Sequence, residues 1–173
     1  LGRDFVFRAR LSDNRAMSER ECGSCTACCE GWLVSTVTGM HPGNPCRHCT
    51  GQGCAIYESR PQDPCMNFIC GWLQPNSPLP DEMRPDKAGV IVLLGRQWRG
   101  WPIIDAIPTG PAIPEESVER LKAYAQEARI PLILRDYLQR DDKYIGQRTR
   151  GFGPPAFRDT VKYAIGPQDI VKM

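Results

Sequence analysis

The chain has 173 residues, of which 41% are hydrophobic and 24% charged, with nine cysteines and a formal net charge of +2. This composition suits a soluble globular protein of one domain, or of two small lobes of which one needs a staple, and it excludes disorder at large. No apolar run approaches the length of a membrane span, the longest being residues 88–94, so no membrane partner is expected.

Taken in chain order, residues 1–21 are polar and arginine-rich, with Phe5, Val6, Phe7 and Leu11 as the only anchors, and read as a loosely attached arm. The stretch Cys22-Gly23-Ser24-Cys25-Thr26-Ala27-Cys28-Cys29 then places four thiols within eight residues. Cys46, Cys49, Cys54, Cys65 and Cys70 follow, and no cysteine comes later, so residues 22–73 form a cysteine-cluster lobe. Two cysteines separated by two residues can turn both sulfurs toward one point, which is the usual half of a tetrahedral metal site. Cys22 and Cys25 form such a pair, and so do Cys25 and Cys28. Cys22, Cys25, Cys46 and Cys49 together give a C-x2-C-x20-C-x2-C spacing, at the upper edge of the zinc-ribbon range. The C-x2-C-x2-C run also matches the first three ligands of a bacterial ferredoxin cluster. Neighbouring side chains of an extended chain point to opposite faces, so one of Cys28 and Cys29 is expected to serve a second site or none.

Within this lobe, the β-branched residues 32–38 predict a strand, and the two glycines and two prolines of 39–45 predict a loop. Residues 55–61 read as a short strand-like run. Asp63 and Pro64 then look like the cap and first position of a helix that Gly71 ends. Five residues apart on a helix, Cys65 and Cys70 do not share a face unless the helix stops at Cys70. The tripeptide Gly-Trp-Leu follows each cysteine block, at 31–33 and at 71–73, and makes Trp32 and Trp72 either lids over the metal lobe or core packing.

Residues 74–87 carry several prolines and read as a linker to a C-terminal lobe, residues 88–173. Residues 88–94 and 101–107 predict two buried strands joined through a turn at 96–100. Pro114 opens the clearest helix, with Glu115 and Glu116 in its first turn and Val118, Leu121, Ala125 and Ala128 along one face. Pro131 closes it, and 132–134 begin a short strand. The charged run 135–150 reads as a solvated face, 151–155 as a loop and 160–165 as an edge strand. The fold class expected is α+β: a metal-stapled cysteine-rich lobe of loops and short elements packed on a small strand-strand-helix-strand layer.

These residues resemble the YkgJ-type zinc- or iron-chelating cysteine-cluster family. The resemblance rests on the opening C-x2-C-x2-C-C, the cysteine of the Cys46 block, the run Gly53-Cys54-Ala55-Ile56-Tyr57-Glu58-Ser59-Arg60-Pro61, and Cys65 shortly after. It covers residues 22 to about 94. It implies a bound metal and leaves the ion open.

The expected function is therefore thiolate coordination of zinc in a structural or sequestering role, with iron or an iron-sulfur cluster in electron transfer or redox sensing as the alternative. Zinc-thiolate binding supplies on the order of ten kcal/mol of folding free energy, more than a loop-rich lobe gains from packing. Full thiolate coordination leaves no open position for water, and no H-E-x-x-H, nucleophile elbow or phosphate loop is present, so nothing marks an enzyme. His41 and His48 read as loop residues, and Arg60 as a counter-charge to thiolates or a partner for Tyr57. Binding two divalent ions through eight thiolates would take the net charge from +2 to about −2, which removes the case for nucleic acid. An odd number of cysteines in C-x2-C pairs fits reduced thiols in a cytoplasm. A protein partner, where there is one, is expected on the C-terminal lobe.

Overall fold

The computed structural model describes residues 20–164, and the expected arm lies largely outside them. Aliphatic crowding sets the sheet. Val90, Ile91 and Val92 are at most 1% exposed, and they begin β1 (Val90–Trp98), which turns at Arg99 and Gly100 into β2 (Trp101–Pro108). A one-turn helix, α1 (Pro85–Ala88), precedes β1, and Gly89, in the left-handed conformation that glycine adopts without steric cost, joins them. The predicted helix is α2 (Glu115–Ala128), which crosses over to β3 (Leu132–Arg140), parallel to β2. The sheet closes with β4 (Lys143–Phe152), antiparallel to β3, and strand order follows the chain.

Alternation along the strands sends neighbouring side chains to opposite faces. Ile104, Ala106, Leu132 and Leu134 pack with Val118, Leu121 and Ala125 of α2. Ile103 and Ile133 meet Phe157 and Val161 of α3 (Pro155–Ala164) on the other face. The architecture is thus mixed α/β, a four-stranded sheet with a helix on each face.

Two C-terminal expectations change. The expected solvated run 135–150 contains most of the β3–β4 hairpin, whose buried Asp136 accepts from Arg148 and Arg150 at 2.9–3.1 Å. The expected strand at 160–165 is instead, as far as residue 164, the end of α3, because Phe157 and Val161 stand one turn apart and bury on the same face.

Residues 74–87, mostly exposed, are anchored at a few buried side chains. Leu79 and Met83 are 3% and 2% exposed and join the core that contains Ala27, Cys70 and Trp72 on one side and the sheet on the other. At the junction, the Gly71 N–H donates to the Val92 carbonyl at 2.6 Å, and a Cβ on Gly71 would stand 2.9 Å from that oxygen and from Leu94 Cγ. Only glycine lets the cysteine lobe approach the edge strand this closely.

Candidate metal centre

The cysteine lobe is a chain of turns. Cys28–Trp32 winds as a single wide turn that breaks at Gly31 (φ 98°), and residues 32–38 do not form the predicted strand: Ser35 and Met40 pair across a four-residue turn that leaves Val34 and Val37 exposed. Residues 39–45 are the predicted loop, closed by mutual hydrogen bonds between His41 and Asn44. The 55–61 run is also not a strand, since Tyr57–Ser59 makes a single tight turn. Nor does Asp63 cap a helix reaching Cys70. It is extended and precedes a cis peptide bond to Pro64, and the turn Gln62–Met66 ends well before Cys70.

None of the nine cysteines is in a disulfide. Two of the three C-x2-C turns are closed by the main chain, with Cys25 N–H donating to the Cys22 carbonyl and Cys49 N–H to the Cys46 carbonyl, each at 2.9 Å. Cys46 N–H donates to the Cys29 carbonyl at 2.7 Å, tying the second block of cysteines to the first.

Electrostatic neighbourhood sorts the thiols into two sets. Burial pushes the Cys28 thiol well above its ordinary range, and Cys70, Cys25, Cys29 and Cys22 add to the rise. Burial likewise pushes Cys29 up to about 12, with help from Cys49, Cys54, Cys46 and Cys65. Cys70 is raised by burial and by Cys22 and Cys25, while N–H donation from Leu73 and Trp72 to its sulfur works the other way. Cys65 is raised by burial first, then by Cys46 and Cys54. One set is therefore Cys22, Cys25, Cys28 and Cys70, and the other is Cys29, Cys46, Cys49, Cys54 and Cys65. Cys29 also bears on adjacent Cys28, so the two sets meet there. Cys22 and Cys25 bear on Cys28 and Cys70, and Cys46 and Cys49 on Cys29. Cys46 and Cys54 bear on both Cys29 and Cys65, and Cys49 is the foremost thiol neighbour of Cys29.

Seven of the thiols, Cys22, Cys25, Cys28, Cys29, Cys54, Cys65 and Cys70, line one cavity of about 280 Å³, walled also by Met40, Phe68, Trp72 and Leu73. Among the described residues, no three or more His, Cys, Asp or Glu side chains stand together as a group able to hold a metal ion. The donors suit a thiophilic ion in kind, being free thiols. In distance they do not, and the sulfurs of either set have to close in before they share an ion.

Cations border both sets. The Arg60 guanidinium stacks 3.8 Å from the Tyr57 ring centroid and donates to the Tyr57 carbonyl at 3.2 Å. Against the burial that raises Cys22 and Cys65, its charge lowers both, so it serves as counter-charge to each set as well as a partner for Tyr57. Arg84, in a stretch with no metal-site spacing, donates to the Cys22 carbonyl at 3.0 Å and to Ser24 Oγ at 3.2 Å. The two histidines stay apart from the thiols' hydrogen bonding: His41 Nδ1 meets the Pro42 carbonyl at 3.1 Å, and His48 Nε2 accepts from Arg47 at 3.2 Å. Trp72 walls the cavity, whereas Trp32 packs with Tyr137 and Tyr144 at centroid distances of 5.7 and 5.6 Å. Comparison with known proteins adds no family to this picture, since no family model matches the chain and neither a curated protein nor a solved structure is similar to it.

Proposed function

We propose that this chain is a metal-binding protein in which Cys22, Cys25, Cys28 and Cys70 take one zinc ion and Cys29, Cys46, Cys54 and Cys65 a second, with Cys49 as the supernumerary thiol. What supports this reading is that, apart from Cys29 bearing on Cys28, the two have separate neighbours: Cys70, Cys25 and Cys22 around Cys28, and Cys49, Cys54, Cys46 and Cys65 around Cys29. Two tetrathiolate sites have no open coordination position, so the role is structural or sequestering and the ions supply folding free energy to a lobe built of turns. Arg60 and Arg84 offset the negative charge that four thiolates per ion create.

A second reading has its own support. Seven thiols face a single cavity of about 280 Å³, more room than one ion between four sulfurs occupies, and that volume favours an iron-sulfur cluster.

Elemental analysis of protein isolated without oxygen separates the two. Two zinc ions per chain in a colourless sample support the first, and a brown sample with acid-labile sulfide supports the second. Protein that is metal-free, folded and indifferent to chelators overturns both.

A further inference from the structure

Cys49 and Cys54 stand directly opposite each other in a single antiparallel β-bridge. Its hydrogen bonds flank the pair rather than join it: Thr50 N–H donates to the Gly53 carbonyl at 3.0 Å, and Ala55 N–H to the His48 carbonyl at 2.9 Å. Residues opposed in this way hold their Cα atoms about 4.5 Å apart and send both side chains to the same face. That separation lies inside the roughly 4.4–6.8 Å that a disulfide spans. The sulfurs share a side, since Cys49 and Cys54 are the two thiols that act most strongly on Cys29. The turn between them is already fixed: Thr50 Oγ1 donates to the Gly53 carbonyl at 3.1 Å and accepts from Gln52 N–H at 3.3 Å. Joining the two sulfurs therefore closes a short loop that the main chain has already closed, at little further cost in chain entropy. Cys29 also neighbours Cys49, but its main chain pairs with Cys46, so strand register opposes Cys54, not Cys29, to Cys49.

We propose that Cys49 and Cys54 are a redox-modification site, forming a reversible disulfide beside the exposed Thr50-Gly51-Gln52 turn, with a small disulfide of the glutathione class as oxidant. One cysteine of the pair, as thiolate, attacks a sulfur of oxidised glutathione. The glutathione S–S bond breaks, and one glutathione leaves and takes up the proton that the cysteine gave. The opposed cysteine then loses its proton and attacks the cysteine sulfur of the mixed disulfide, expelling the second glutathione, which takes up that proton. Two electrons pass from the pair to the oxidant, which ends as two reduced glutathiones. Disulfides open to solvent are the labile kind, so reduced glutathione reverses the step. The inference needs no metal ion and stands apart from the metal reading.

The test takes the full chain as isolated without oxygen, incubates it at rising ratios of oxidised to reduced glutathione, and alkylates the thiols that remain. Cleavage after Arg47 and after Glu58 releases residues 48–58, which contain Cys49 and Cys54 and no other cysteine. Mass spectrometry should show this fragment losing both alkyl groups and standing two hydrogen atoms lighter than the dithiol. The change should come at a lower ratio than for any other pair of cysteines, and dithiothreitol should undo it. In Cys49→Ser, Cys54 should stay open to alkylation at that ratio. The inference is overturned when Cys49 joins Cys29 or another cysteine first, when glutathione persists on either residue, or when the fragment stays a dithiol in fully oxidised glutathione. A Cys49→Ser chain whose Cys54 pairs elsewhere at the same ratio overturns it too. Metal content is read separately, so the metal reading stands or falls by itself.

Discussion

The hydroxyl of Tyr137, on β3, donates to the carbonyl oxygen of Trp32, in the cysteine lobe, at 3.1 Å across 105 residues of sequence. Tyr144 completes the contact, its ring 5.6 Å from both Trp32 and Tyr137. This seam ties the position of the first cysteine block to the β3–β4 hairpin.

Tyr137→Phe keeps the ring and deletes the donor, leaving the Trp32 carbonyl unpaired, and should cost about 1–2 kcal/mol in urea melts at neutral pH. The difference depends on pH. Burial pushes the Tyr137 hydroxyl up to about 12, whereas in the unfolded chain it ionises near 10. The folded value is the raised one, so the contribution is complete below pH 10 and declines as pH climbs toward 12. Wild type and Tyr137→Phe should therefore converge over that window, and parallel curves would show that the hydroxyl is not held in the seam.

Gly31 supplies a sharper backbone test. It follows the Cys28-Cys29-Glu30 turn with φ 98°, and a Cβ there would overlap the His41 carbonyl oxygen, which already accepts from Asn44 N–H at 2.8 Å. Gly31→Ala thus combines a disfavoured conformation with a clash against fixed main chain, and should cost on the order of 3 kcal/mol. Gly39 also has positive φ, at 70°, but nothing lies within 4 Å of its Cβ position, so Gly39→Ala should cost about 1 kcal/mol. Equal losses in the two variants would mean that the turn at Gly31 relaxes freely.

On the sheet, Arg135 grips Asp105 through two hydrogen bonds, 2.6 and 2.8 Å, with the aspartate side chain 9% and the arginine 27% exposed. Removing one partner strands the other. Asp105→Ala should cost about 3 kcal/mol, the low end for a buried pair because the guanidinium reaches solvent. Replacing both partners with apolar residues of similar size, as in Asp105→Leu with Arg135→Met, should recover most of that loss. A double variant no better than Asp105→Ala would show that the pair specifies the β2–β3 register rather than merely satisfying itself.

The legible parts of the chain were those whose pattern is local. Residues 88–94 and 101–107 are apolar runs, and Val118, Leu121 and Ala125 recur at helical spacing; all three became elements, the last two close to the predicted bounds, while β1 starts at Val90 and runs on through most of the expected turn to Trp98. β4 escaped because it is an edge strand whose exposed Lys143 and Arg148 look like any solvated run. α3 escaped because Thr160 and Val161 suggest a strand, although Phe157 and Val161 at i, i+4 carried the helical signal. In the cysteine lobe, adjacency suggests that Cys28 and Cys29 face different neighbours. The grouping of Cys70 with Cys22, or of Cys29 with Cys65, depends on how successive turns stack, and spacing does not encode that.

The thiols themselves carry the last prediction. Burial is the first cause of the rise in Cys28, Cys29, Cys65 and Cys70, so at neutral pH these sulfurs hold protons in the metal-free fold. An unfolded thiol ionises near 8.5, which makes the folded values the raised ones. The metal-free fold should then keep its full stability below about pH 8.5 and lose it progressively at higher pH, as the unfolded chain ionises first. Zinc reverses this dependence, because it binds the thiolate: each ion must displace about four protons, and apparent affinity should climb as pH rises through neutrality. Calorimetric titration of the reduced chain with zinc, in buffers of differing ionisation enthalpy, counts those protons. Alkaline melts with and without zinc should diverge above pH 8.5. Release of fewer than about two protons per ion would mean that water or main-chain oxygen, rather than four sulfurs, surrounds the zinc.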